Sequence, residues 1–347
     1  MDSNQKNLNN NKVVGIVTQP LLWNYGGLLQ NFALHQTLKK LGYEPITLNH
    51  QLPKYSLIRY FFYALKTFLL LLTPRRRPFV KRKDFYSRLV FFEVFFKKWI
   101  VATKQFCMYS IDLLKENNIG CILVGSDQVW RPQKFPPVHD MYLDFCKNES
   151  NLKRIAYAAS FGVDNWEYTP MQSEVCARLV KKFDAVSVRE ETGIKLCKEH
   201  LGVDATWVLD PTLLLNKEDY SEVCADIPKK SKNYLAAYIL DMNDDIHNLC
   251  ESIAAEQNLV PLYFSSGKNA TLTVPEWLAM FRDASYVVTD SFHGTVFSII
   301  FGKEFKCLYN KSRGSARFDS LLKLYESDML NEMREFSLNW LKNALEK

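Results

Sequence analysis

The run Tyr286-Val287-Val288-Thr289-Asp290-Ser291-Phe292-His293-Gly294-Thr295, continuing into the apolar stretch Val296 to Phe301, decides the architecture. Tyr-Val-Val-Thr reads as a short strand, Asp-Ser-Phe-His-Gly as a tight turn, and the renewed apolar run as a helix. A strand, a turn and a helix in this order make the unit of a parallel sheet covered by helices. Where such a helix starts, free backbone N–H groups point outward and favour an anion. His293 sits at that turn, titrates near neutral pH, and can carry a proton. Gly294 lets a ligand approach the backbone. A solvent-facing turn with an incidental histidine is the competing explanation.

The same alternation extends outward. Tyr234 to Leu240, Val260 to Phe264 and Phe305 to Tyr309 read as strands, with helices over Asp244 to Gln257 and Pro275 to Ala284. Ser337 to Glu346 is amphipathic and reads as a last helix. Upstream, Val13 to Thr18, Pro45 to Leu48, Cys121 to Val124, Ile155 to Ala159 and Ala185 to Val188 are β-like, and Leu28 to Leu41 has helical spacing ending at Gly42. Two such series predict an α/β protein of two Rossmann-like domains. The expected divisions are a tail over 1–11, one domain over 12–208, a second over 209–330, and a C-terminal helix over 331–347. A length of 347 residues agrees with about two domains at ~100–200 residues each.

Charge is unevenly spread. Between Lys54 and Phe106 there are 13 Lys/Arg and 2 Asp/Glu, or +11, against +6 for the whole chain. That segment also holds 15 of the 47 aromatic residues. It is expected to be a helical insertion at about 51–110. Its composition suits a helix on an anionic membrane surface, with Tyr60, Phe61, Phe62, Arg75, Arg76, Arg77, Lys81, Arg82 and Lys83 as the contacting residues. Plain packing on the protein body is the alternative. Nucleic acid, which takes similar surfaces, is not the expected partner. No apolar run is long enough to predict a transmembrane helix. Eight scattered cysteines without a CxxC pair fit reduced thiols and a cytoplasmic location, and argue against a thiolate metal site.

Ligands of open α/β sheets bind beyond the carboxyl ends of the strands. Five polar clusters have that address. Asn24-Tyr25-Gly26-Gly27 with Gln30 can cradle an anion, although it lacks a dinucleotide or P-loop signature. Gly125-Ser126-Asp127-Gln128-Val129-Trp130 offers a carboxylate to orient a hydroxyl and an indole to stack on a sugar, or simply a helix cap at Asp127. Ser160-Phe161-Gly162 is a turn. In Arg189-Glu190 the arginine suits phosphate or carboxylate, or an interdomain salt bridge. Ser291, His293, Gly294 and Thr295 form the fifth. Arg313 and Arg317, in and beside the polar loop Lys311 to Ala316, are further cations for an anionic ligand.

These clusters, with Asp210-Pro211-Thr212, occur in an order that closely resembles the polysaccharide pyruvyl transferase family, from about Val13 to about Leu322. The resemblance implies a GT-B-like arrangement of the two domains. It implies transfer of the enolpyruvyl carbons of phosphoenolpyruvate to a sugar, usually as a cyclic ketal, in bacterial surface polysaccharides. The matching arginine and histidine are Arg189 and His293. Where family members often carry a basic residue two positions before the histidine, this chain has Ser291, and Arg313 or Arg317 is expected to replace it.

On that basis His293 and Asp127 are the expected catalytic residues. Arg189, Ser291, Gly294, Thr295, Asn24, Gly26, Gly27, Arg313 and Arg317 are expected to hold the donor. Tyr25, Gln30, Ser126 and Trp130 are expected to hold the acceptor, a sugar such as galactose, free or lipid-linked. Phosphoenolpyruvate is a co-substrate, and the scheme needs no cofactor and no metal. The expected location is cytoplasmic, at the inner membrane. A GT-B glycosyltransferase using a nucleotide sugar, and an inactive membrane-surface scaffold, are the alternatives.

Overall fold

A computed structural model describes residues 12–21, 24–50, 82–134, 137–230, 233–308 and 315–347. Tyr60, Phe61, Phe62, Arg75, Arg76, Arg77, Lys81 and Arg313, and the expected tail, lie outside the described residues. Arg82 and Lys83 fall at the start of a helix.

Two parallel sheets carry the fold. The first has six strands in the order β2-β1-β3-β4-β5-β6, formed by Val13–Val17 (β1), Glu44–Thr47 (β2), Cys121–Val124 (β3), Lys153–Ala159 (β4), Ala185–Val188 (β5) and Thr206–Trp207 (β6). The second has the order β10-β9-β7-β8, from Tyr234–Tyr238 (β7), Val260–Phe264 (β8), Tyr286–Thr289 (β9) and Glu304–Cys307 (β10). The inner strands β3 and β7 are buried on both faces, as parallel strands between helices must be. Each sheet reverses direction beside its first strand, between β1 and β3 and between β7 and β9. Crevices open at such switch points.

The helices used below are Tyr25–Lys40 (α1), Arg82–Trp99 (α2), Pro170–Val180 (α3), Asp244–Glu256 (α4), Val274–Asp283 (α5), Phe292–Ile300 (α6), Ala316–Glu326 (α7) and Leu330–Glu346 (α8). Helix α1 starts three residues earlier than its apolar spacing suggests. Asn24 caps it by accepting from the Gly26 N–H at 3.0 Å, which draws both glycines into the first turn.

The two sheets are held as one body by aromatic packing. Tyr25 of α1 stacks on Trp277 of α5 at 5.2 Å and meets Phe92 of α2 at 4.8 Å. Phe32 packs against Phe95, Trp99 and Tyr220. Pairs of this kind add ~0.5–1.5 kcal/mol each beyond the area they bury. Helix α8 then returns to the first sheet, where Leu341, Ala344 and Leu345 join Val14, Ile16 and Leu34. The arrangement is GT-B-like: two Rossmann-like domains, facing switch points, and a C-terminal helix that crosses back. In the expected insertion, residues 82–99 are a helix. Its inner face of Phe92 and Phe95 is buried, as is Ile100 just beyond it, while Val90 and Val94 are exposed. Among the described residues no helix is long and apolar enough to cross a membrane.

Candidate active site

The first turns of α1 and α6 meet across the cleft. A Cβ at Gly26 would overlap the His293 ring, so the two helix starts approach this closely only because residue 26 is glycine. Ser291 caps α6, its Oγ accepting from the Gly294 N–H at 3.4 Å. A Cβ at Gly294 would collide with Thr289, which fixes the tight step out of β9. Asp290 ties that step to the end of β7, its two carboxylate oxygens accepting from the Leu240 and Asp241 N–H groups at 2.7 and 2.9 Å. Two positive helix ends therefore point at one place, a setting that favours an anion.

Beside them lies a buried ionic cluster. Arg189 Nη1 donates to Asp210 Oδ2 at 2.6 Å, and Nη2 donates to Asp127 Oδ1 at 3.3 Å. Asp210 Oδ2 also accepts from Ser126 Oγ at 3.1 Å, and its Oδ1 accepts from the Thr212 N–H and Oγ1 at 3.0 and 2.6 Å. Asp127 holds a left-handed backbone at φ 68°, and its Oδ2 accepts from Gln19 Nε2. No helix follows Asp127, so it is not a helix cap. His293 Nε2 stands 3.8 Å from Asp210 Oδ2, too far for a hydrogen bond. The Phe292 ring carries the Arg189 guanidinium at 4.7 Å and that of Arg317 at 5.5 Å.

Charge states follow from burial and neighbours. Burial alone would raise the Asp210 carboxyl, but Arg189, His293 and the hydrogen bonds overcome it and hold it at about 2. Asp127 is likewise lowered, burial being outweighed by Arg189 and His293. Burial pushes His293 below its ordinary value, and Asp210 and Asp127 offset only part of that. Burial and then Arg189 bring Arg317 down to about 10, which leaves it a cation at neutral pH.

The sequence pattern of the polysaccharide pyruvyl transferase family matches residues 24–312, which contain every one of these groups except Gln19 and Arg317. The chain belongs to the polysaccharide pyruvyl transferase family. Membership makes it a transferase with a pyruvate donor and a polysaccharide acceptor. No curated protein matches it in sequence. Among solved structures, a glycosyltransferase from Rickettsia africae is similar at 11% identity over 96% of this chain and 94% of that one, with a TM-score of 0.43. UDP-bound MnaA from S. aureus is similar at 11% identity over 93% and 90%, with a TM-score of 0.47. A UDP-GlcNAc 2-epimerase from Methanocaldococcus jannaschii, solved with UDP-GlcNAc and UDP, is similar at 12% identity over 93% and 94%, with a TM-score of 0.44. Likeness at this level carries no argument about chemistry.

The structure brings together His293, Asp127, Arg189, Arg317, Asn24, Gly26, Ser126 and Ser291. Gly27 stands one step away, where a Cβ would come within 2.8 Å of Gln19. Gln30 lies beneath, its Nε2 donating to the Ser126 carbonyl at 3.3 Å. Three expected contacts need correction. Trp130 is fully buried, stacked on Tyr142 at 4.8 Å and donating to the Met141 carbonyl, so neither indole face is offered to a sugar. Tyr25 is also fully buried, and its hydroxyl donates to the Leu272 carbonyl. Thr295 Oγ1 donates to the Ser291 carbonyl inside α6, a helical back-bond rather than a ligand contact.

Asp210, the hub of the cluster, carries no expected role in the sequence, although Asp210-Pro211-Thr212 is among the motifs that carry the family resemblance. Neither do Gln19 and Arg131. The latter forms a two-pronged pair with Glu167 at 2.9 and 3.0 Å.

Proposed function

We propose that the chain transfers the enolpyruvyl carbons of phosphoenolpyruvate to two hydroxyls of one hexose, giving a cyclic pyruvate ketal in surface-polysaccharide assembly. Two features support this reading beyond family membership: the meeting of two capped helix starts at His293, and the guanidiniums of Arg189 and Arg317 on the Phe292 ring. A donor with a phosphate and a carboxylate needs both kinds of partner.

The observation that carries the mechanism is the state of His293. Burial holds His293 below its ordinary value, and its Nε2 has no protein hydrogen-bond partner among the described residues. The donor's negative charge raises its basicity, so binding protonates it. The imidazolium then delivers that proton to the methylene carbon, which becomes the ketal methyl group. One sugar hydroxyl attacks the adjacent carbon, phosphate leaves, and a second hydroxyl closes the ring. Arg189 is held by Asp127 and Asp210, so it enters the reaction already oriented. Asp127, held by Arg189 and Gln19, positions a hydroxyl in this scheme.

The acceptor is lipid-linked in this proposal, and the protein meets an anionic membrane through its basic–aromatic segment. The +11 charge between Lys54 and Phe106 supports this, at about 1 kcal/mol per basic residue near such a surface. So do the exposed Val90 and Val94 on the outer side of α2. The decisive experiment is phosphate release from phosphoenolpyruvate in the presence of free and lipid-linked β-galactosides. Release that depends on the sugar is expected. Nucleotide-sugar turnover without it would support a glycosyltransferase instead.

A further inference from the structure

Ketal formation, the proposed reaction on which this inference rests, has two proton demands. A carbon must gain a proton and a hydroxyl must lose one. His293 Nε2 answers the first. For the second, the carboxylates of the cluster can be compared oxygen by oxygen. Both oxygens of Asp127 accept from side chains, Arg189 and Gln19. Both oxygens of Asp210 are taken, by Arg189 with Ser126 and by Thr212. Glu167 is filled by Arg131, and Asp290 by two backbone N–H groups.

Glu190 differs. It follows Arg189 at the carboxyl end of β5 and is fully buried. Its Oε1 accepts from Ser160 Oγ at 3.1 Å and from the Phe161 and Gly162 N–H groups at 2.7 and 3.1 Å. Its Oε2 has no donor among the described residues. A bulge near the end of β4, with Ala158 at φ 50°, comes just before these three donors in the chain. A carboxylate kept only as a structural clamp would use both oxygens, since an unsatisfied buried acceptor costs about 1–3 kcal/mol.

We infer that Glu190 is the second proton-handling residue of the site, its Oε2 accepting the proton of the sugar hydroxyl that attacks the donor. As the hydroxyl O–H bond breaks, its electron pair forms the bond to the substituted carbon of the enolpyruvyl unit and the proton moves to Oε2. The double-bond pair takes the proton from His293. Phosphate then leaves with the C–O bonding pair. The second hydroxyl replaces it, and its proton returns the histidine to the acid form. Glu190 passes its own proton to the departing phosphate, so both side chains end as they began. The three bonds to Oε1 hold the carboxylate in place, with Arg189 and Arg317 as its charged neighbours.

Glu190→Gln separates base from clamp. The amide oxygen can keep all three contacts of Oε1, while an NH2 group replaces only the free oxygen. Expected are a folded protein, phosphoenolpyruvate affinity close to wild type, a ~10²–10⁴-fold loss of kcat, and loss of the acidic limb of the pH–rate profile. Ser160→Ala, which removes one of the three bonds to Oε1 and leaves Oε2 in place, should lose less kcat than Glu190→Gln. A Gln variant within about threefold of wild type, or a Ser160→Ala variant as impaired as Glu190→Gln, would overturn the base role while leaving the proposed reaction standing. If Glu190→Gln does not fold, Glu190→Asp, which withdraws the carboxylate, should lose at least about tenfold in kcat and keep the acidic limb. Undiminished kcat there would also overturn the assignment. Wild-type protein that releases no phosphate with any acceptor would remove the proposed reaction and this role together.

Discussion

The two walls of the cleft are built on opposite plans. On the wall from the first sheet, charge is locked in place: Arg189 is gripped by Asp127 and Asp210, and those aspartates are themselves held by Gln19, Ser126 and Thr212. On the wall from the second sheet, His293 is placed by shape instead, against Gly26, and its Nε2 has no protein hydrogen bond among the described residues. In the proposed reaction one wall supplies fixed charge and the other the proton carrier. Among the described residues, Glu190 Oε2 is a buried carboxylate oxygen of the first wall without a donor.

Removing the free group should damage chemistry alone. His293→Gln is expected to lower kcat by ~10²–10⁴-fold with folding and phosphoenolpyruvate binding kept, as read by thermal melting and calorimetric titration. Turnover near wild type would break the contrast at its strongest point. Removing a locked group should damage the fold as well. Arg189→Ala leaves two buried carboxylates uncompensated, at a cost of ~3–5 kcal/mol, together with weaker donor binding. Denaturant unfolding checks the first effect and donor KM the second. If the variant is as stable as wild type, Arg189 is not the keystone of that wall.

Gly26→Ala tests whether shape alone places His293. The added methyl group displaces the ring, and a misplacement of about 1 Å can cost ~10²-fold in kcat. Wild-type kcat in this variant would mean that the imidazole is held by something else. A control lies just behind the first wall. Trp130→Phe loses one hydrogen bond to the Met141 carbonyl, about 1 kcal/mol of stability, and should leave the acceptor KM unchanged.

The smallest effect is on pH dependence, and the walls should again differ. The Asp210 carboxyl lies at about 2 in the folded protein against ~3.9 unfolded. Its stabilisation is present above the unfolded value and lost as pH falls between them. His293 is lowered too, so it favours the folded state above about 6.5 and opposes it as pH falls through that value. Donor binding reverses the second effect by drawing a proton onto the ring. Affinity for phosphoenolpyruvate should therefore tighten as pH falls through neutrality, by at most about tenfold per pH unit for one proton. A flat profile in wild type, or a slope that survives in His293→Gln, would separate His293 from donor binding.

The same contrast explains what the sequence could disclose. The step from β9 into α6 was legible because each of its signals is local: a Val-Val-Thr strand, a Ser cap and a Gly. The start of α1 was placed late because Gly26 and Gly27 look like loop residues. They are helical because Asn24 caps them and because His293 leaves no room for a side chain at Gly26. Asp210 looked like a domain boundary, since its partners Ser126, Arg189 and His293 are all distant in sequence. Trp130 looked like a sugar platform because it follows Ser126 and Asp127, yet Tyr142 and Phe161 enclose it. Burial of that kind is decided by packing and leaves no mark on the local pattern.

In the proposed reaction an enolpyruvyl group is protonated at its methylene carbon and becomes a ketal on the sugar. This claim is tested most directly by running the reaction with phosphoenolpyruvate and a β-galactoside in heavy water and analysing the product by mass and by proton resonance. The predicted product is a pyruvate ketal whose methyl group carries a deuterium, formed with release of phosphate and lost in His293→Gln. A product that keeps its vinyl group, or a sugar extended by a hexose, would contradict the claim.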